Sequence, residues 1–114
     1  MLRATGFYSS VRLTEHFGKH GSEFGATTEQ EYLLKAAVFI NTLQSNPDTL
    51  FCNDEDGDFV LFNPQTDEFA VTTPDGRIRT YFKPVPAHLA EPNRPTKKTH
   101  SFVSNLEFFQ DKCA

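Results

Sequence analysis

The hydrophobic period of this 114-residue chain changes at Asn46-Pro47, and that change restricts it to a helix followed by a sheet. Before the break, Tyr32, Leu33, Ala36, Ala37, Phe39, Ile40 and Leu43 recur at the 3.6-residue spacing of an amphipathic helix. Thr27-Thr28 followed by Glu31 reads as a capping box, so the spacing predicts a main core helix over 28–45, closed by Asn46-Pro47. After the break the period is 2. Thr49 to Cys52 is a short apolar piece, 58–63 alternates around Val60 and Phe62, and 68–73 alternates around Phe69 and Val71. Turns at 54–57, 64–67 and Pro74-Asp75-Gly76 separate these runs, and Arg77 to Phe82 is the last strand. Strands joined by such tight turns form an antiparallel meander with one face on the helix. The expected class is therefore α+β, with N-terminal helices packed on a 3–4-stranded antiparallel sheet.

The flanks are weaker. Residues 1–10 could pair as a short strand. Thr14 can cap a second helix that Gly18 and Gly21 keep short, ending by Gly25. Pro84, Pro86, Pro92 and Pro95 crowd residues 84–100, which are expected to run over the surface without regular structure. A last short helix is expected within 101–112, with Phe102, Val103, Leu106 and Phe109 on one side. This gives one domain over 1–84, with 85–114 as a Pro-rich surface segment and a helix packed on it.

Bulk properties exclude several classes. No apolar run approaches the twenty residues of a membrane span, and Met1 to Ser10 lacks the apolar centre of a secretory signal. Cys52 and Cys113 are too few and too far apart for a disulfide framework, so a cytoplasmic protein with free thiols is expected. Net charge is −4, with the acidic excess in residues 1–83. A polyanion would have to be held by a local patch and not by the overall field. The run Asn53 to Asp58 fails as a helix–loop–helix calcium loop: counted from Asp54, Gly57 falls fourth and position twelve is Gln65. It reads as an exposed turn.

The chemistry concentrates in Thr14 to Gly25. On a helix, His16 and His20 are one turn apart and Lys19 shares their side. A zinc-protease helix needs Glu directly after its first His, where this chain has Phe17, and no spacing singles out a third ligand among Glu23, His88 and His100. No metal and no cofactor are expected. Metal-free cleavage of RNA needs a base, an acid and a cation for the charge on phosphorus, and histidine with lysine or arginine fills those roles. The last strand adds Arg77, Arg79, Thr80, Tyr81 and Lys83. Strict alternation there puts Arg77, Arg79 and Tyr81 on one face and Ile78, Thr80 and Phe82 on the other, which could bring Thr80 beside the histidines on the helix side.

The segments His16-Phe17-Gly18-Lys19-His20-Gly21-Ser22-Glu23-Phe24-Gly25 and Asp75-Gly76-Arg77-Ile78-Arg79-Thr80-Tyr81-Phe82-Lys83-Pro84 resemble motifs of C-terminal nuclease domains in bacterial polymorphic and contact-dependent toxins. Those domains belong to the barnase–EndoU–colicin–RelE fold group. The resemblance implies a metal-independent endoribonuclease, often aimed at tRNA, that works in the bacterial cytoplasm and is silenced by an immunity or antitoxin protein. It further implies His16 or His20 as base or acid, Lys19 or Arg79 as phosphate cation, and Thr80 and Tyr81 as strand-side partners, with Arg77 and Lys83 binding substrate. The competing expectation is a non-enzymatic interaction module, an inactive toxin relative or prophage accessory protein, docking a partner through a flat apolar surface at Phe102, Phe108 and Phe109.

Overall fold

The computed structural model describes residues 2–89 and 98–114. It shows an α+β fold in which a five-stranded, mostly antiparallel sheet carries helices on both faces. Four strands form the meander: β2 (Leu50–Asn53), β3 (Phe59–Asn63), β4 (Glu68–Thr72) and β5 (Arg77–Phe82). A short N-terminal strand, β1 (Gly6–Phe7), adds to the far side of β5 in parallel, giving the order β1-β5-β4-β3-β2. The apolar piece after Pro47 is thus a full edge strand, and the sheet has one strand more than the alternation alone supports.

Helix α1 spans Ser10–His20 and continues into a 3-10 turn over Gly21–Phe24, ended by Gly25 in the left-handed region at φ 67°. Its cap is Ser9, whose side chain accepts from the Arg12 N–H, and not Thr14. The Thr14 hydroxyl instead donates to Glu29 Oε1 across to the next helix. Helix α2 spans Glu29–Asn41. The Thr28 side chain accepts from the Glu31 N–H, and the Glu31 carboxylate returns to the Thr27 N–H and hydroxyl, as the capping pattern predicts. It stops four residues before the expected end. Turns over Thr42 to Ser45 take up the remainder, with the Thr42 hydroxyl donating back to Val38 O.

Two cores result. On one face Tyr32, Ala36, Phe39 and Ile40 of α2 pack on Leu61, Ala70, Ile78 and Tyr81. On the other, Val60, Phe62, Phe69 and Phe82 pack against Phe108 and Phe109 of helix α3 (Asn105–Lys112). The inward face of α3 is therefore Phe108-Phe109, while Val103 and Leu106 are exposed, contrary to the expected grouping. Within the proline-rich stretch, β6 (Val85–Pro86) pairs in parallel with β7 (Thr99–His100). With a 3-10 turn over Ala87–Leu89, three short regular pieces stand among the described residues where a continuous irregular segment was expected. Residues 90–97 lie outside the described residues.

The cysteines correct a second expectation. Cys52 on β2 and Cys113 just after α3 are disulfide-bonded, with Cα atoms 5.7 Å apart, so neither is a free thiol. Their separation in sequence concealed this. Helix α3 folds back over the outer face of the sheet and carries its end to the β2 edge, where the Ala114 N–H also donates to Asn53 O. Among the described residues no helix is long and apolar enough to cross a membrane.

Candidate active site

The position of every side chain on β5 follows from a bulge. Thr72 pairs with Ile78 and Val71 with Thr80, so Arg79 is an extra residue without an opposite number on β4. The extra residue reverses the phase of the strand. Ile78 and Tyr81 face α2, whereas Phe82 joins the α3 core and Thr80 lines the cleft on that same face. Strict alternation across Ile78, Thr80 and Phe82 does not hold, because it allows for no inserted residue.

Helix α1 flanks this edge because β1 holds it there. Thr5 N–H donates to Gly76 O and Tyr8 N–H to Ile78 O, which fixes the strand leading into α1 along β5. His16 Nδ1 then stands 3.5 Å from the Thr80 hydroxyl, with the His16 ring 5.8 Å from that of Phe7 and 5.9 Å from that of His20. Half-burial, then the charges of His20, Lys19 and Arg12, hold the His16 imidazole down to about 4, with Glu15 acting weakly against them. His16 is accordingly neutral at pH 7 and able to accept a proton. His20 is only 4 % exposed and serves differently. Its Nδ1 is 2.6 Å from Glu23 Oε2, its ring stacks on Phe82, and Glu23 Oε1 accepts from the Lys83 N–H.

Beside Thr80 lies a cleft of about 460 Å³ floored by Val60, Phe69, Val71 and Phe82. Lys98 and Lys112 line it together with Asp54, Glu55, Asp56 and Asp111, their ammonium groups 5.3 Å from the Phe82 ring and 5.1 Å from the Phe108 ring. Burial, and then Lys112 and Lys19, lower the Lys98 ammonium below its usual range, which places three ammonium groups within electrostatic reach of one another. Among the described residues no carboxylate pairs with Lys19, Lys98 or Lys112 within salt-bridge distance. Lys98 and Lys112 were not apparent as site residues in the sequence. Neither belongs to a local motif: Lys98 is placed by the Val85 N–H donating to its carbonyl, and Lys112 by the return of α3 across the sheet.

The remaining sequence candidates divide. Tyr81 is buried on the α2 face, stacks on Phe24 at 4.1 Å and donates its hydroxyl to Glu68, so it lies away from His16 and Thr80. Lys83 places its ammonium 5.4 Å from the Phe24 ring, on that other face as well. Arg77 and Arg79 flank the site from the β1 side, ion-paired with Asp75 and Asp58 and lying over the Tyr8 ring. Among the described residues no three His, Cys, Asp or Glu side chains converge as a metal site. Of the possible third ligands to the histidine pair, Glu23 is already held by His20, and His100 bonds Asn105 and stacks on Phe108.

This geometry sets a neutral imidazole beside the Thr80 hydroxyl at the edge of a cleft that carries two lysines and four carboxylates. Compared with known proteins, the sequence matches no family model and no curated protein.

Proposed function

We propose that the chain is a metal-independent endoribonuclease of the bacterial toxin type, with a fold of the barnase–EndoU–colicin–RelE kind. The observation that carries this reading is the neutral His16 imidazole beside Thr80, next to a cleft lined by Lys98 and Lys112 together with four carboxylates. In the proposed reaction the 2′-hydroxyl oxygen attacks phosphorus and its proton passes to His16. Lys19 and Lys112 offset the charge on the phosphorane. The bond to the 5′ oxygen breaks and that oxygen takes a proton from Lys98, whose lowered pKa eases the transfer. The products are a 2′,3′-cyclic phosphate and a free 5′-hydroxyl. Buried His20 positions the end of α1 and does not touch substrate.

The resemblance carried by the two motifs supports tRNA as one target, an immunity or antitoxin protein as partner, and the bacterial cytoplasm as the place of action. The disulfide fits a protein that passes through an oxidising compartment before reaching RNA. The interaction-module reading loses its main support, since Phe108 and Phe109 are buried and Phe102 packs against them.

The test is incubation of the purified protein with total bacterial RNA in the presence of EDTA, alongside His16→Ala. Discrete fragments ending in cyclic phosphate, reduced at least ~100-fold in the variant, are expected. RNA that stays intact with and without cell extract overturns the proposal.

A further inference from the structure

The sheet face that carries Thr80 continues past the bulge to a second constellation. Tyr8 is 43 % exposed, whereas Tyr32 and Tyr81 are fully buried. The guanidinium carbons of Arg77 and Arg79 lie 4.6 and 4.9 Å from its ring centroid. Each guanidinium is also paired with a carboxylate: Arg77 Nε is 3.3 Å from Asp75, and Arg79 Nε is 2.8 Å from Asp58. Tyr8 is itself anchored through its N–H to Ile78 O.

We infer that Tyr8, Arg77 and Arg79 form a stacking subsite for one unpaired nucleobase next to the scissile phosphate. The inference rests on the ribonuclease reading and adds the form of RNA that the site takes. Two arginines offset by two aspartates leave this patch without net charge, so it is poorly suited to a phosphate. The ammonium groups of Lys19, Lys98 and Lys112, which have no carboxylate within salt-bridge distance among the described residues, suit that role better. What the patch offers is flat π surface, with guanidinium N–H groups left over to donate to a base edge. An aromatic ring and stacked guanidinium planes are the surfaces on which splayed-out bases settle, whereas a base within a duplex has its faces covered. The subsite adjoins the chemistry through the backbone. Arg79 directly precedes Thr80, and Tyr8 directly follows Phe7, which packs on His16. The substrate class is therefore a single-stranded or looped segment, with one base on Tyr8 and the adjacent phosphate at His16 and the lysines.

The chain has no Trp, and Tyr8 is the one exposed tyrosine, so its fluorescence reports on this position. Wild-type protein is titrated with a short 2′-O-methyl oligoribonucleotide, which cannot be cleaved, and with the same oligonucleotide made abasic at successive positions. The complete strand is expected to quench tyrosine emission. Loss of one particular base is expected to abolish the quench and weaken binding roughly ten-fold, the size of one base–aromatic stack. Tyr8→Leu should weaken the complete strand by a similar factor without affecting its abasic counterpart, and Tyr8→Phe should bind as wild type. Unchanged melting temperatures show that both variants fold. Equal binding of complete and abasic strands overturns the inference, as does binding unaffected by Tyr8→Leu or the absence of quenching by any strand. Stacking without cleavage of natural RNA would overturn the ribonuclease reading alone, and cleavage without stacking would overturn the subsite alone.

Discussion

His20 and Glu23 form a pair 2.6 Å apart, with side chains only 6 % and 2 % exposed, at the junction of α1 and the 3-10 turn. The same carboxylate accepts from the Lys83 backbone, so it ties the end of α1 to the residue following β5. Glu23→Gln replaces one of the two carboxylate oxygens, which face the Lys83 N–H and His20 Nδ1, by an amide NH2. We expect a loss of about 2 kcal/mol in urea denaturation, the size of a buried polar group left without its partner. Cleavage should fall with it, because His16 lies on the helix so anchored.

The His16 imidazole gives a pH signature. Its folded pKa of about 4 lies below the ordinary 6.5, so between those values the unfolded chain binds a proton that the folded chain refuses. Stability from this group is complete above pH 6.5 and is lost as pH falls toward 4. The ring-proton titration of His16 in an NMR spectrum should have its midpoint near 4. Lys19→Ala should raise that midpoint, since Lys19 contributes to the depression.

Tyr81 separates a structural role from a chemical one. Its hydroxyl donates to Glu68, burial pushes its pKa well up, and its carbonyl accepts from the Tyr32 hydroxyl. Tyr81→Phe should cost about 1 kcal/mol in thermal or urea unfolding and leave the cleavage rate within two-fold of wild type, by rough expectation for a lost hydrogen bond. Thr80→Val is the contrasting variant: it keeps the shape and loses the hydroxyl beside His16, so cleavage should drop with little change in stability.

Gly76 is required at its turn. It sits at φ +90°, and a Cβ there would meet Arg3 O at 1.8 Å. Gly76→Ala should destabilise the fold by about 1–3 kcal/mol from backbone strain alone and detach β1 from β5. Hydrogen exchange at the Thr5 and Tyr8 amides, which bond to Gly76 O and Ile78 O, should rise well before exchange at β3 or β4.

The disulfide can be removed cleanly. Cys52→Ser with Cys113→Ser should lower unfolding free energy by about 2–5 kcal/mol, and reductant should shift the wild-type urea midpoint in the same direction without affecting the double variant. Exchange at α3 amides should rise most, because Cys113 ends that helix.

Sequence patterns resolve this fold where the signals are local. The Thr28–Glu31 cap places the start of α2, and the turn residues place β3, β4 and β5 within a residue or so of their observed bounds. What is set by distant contacts was not legible. The Arg79 bulge depends on how β5 registers against β4, and one inserted residue exchanges the faces of Thr80 and Tyr81 relative to Ile78. Lys112 and the Cys52–Cys113 bond depend on the return of α3, and Lys98 on the pairing of its segment with Val85 and Pro86. The His16 to Thr80 approach was readable in part: one α1 turn and one strand residue were singled out, though the face they share was not.

Cys52 and Cys113 also make most of the chain into a covalent ring, their sequence separation of 61 residues enclosing three meander strands and the last helix. His16, Lys19 and His20 precede Cys52 and so lie outside this ring. Unfolding does not open the ring. A pore that passes polypeptide in single file cannot thread past Cys52 until the bond is reduced, whereas a wider channel has to take two strands abreast. Any single-file threading of this chain would therefore be coupled to thiol chemistry on the side from which it starts.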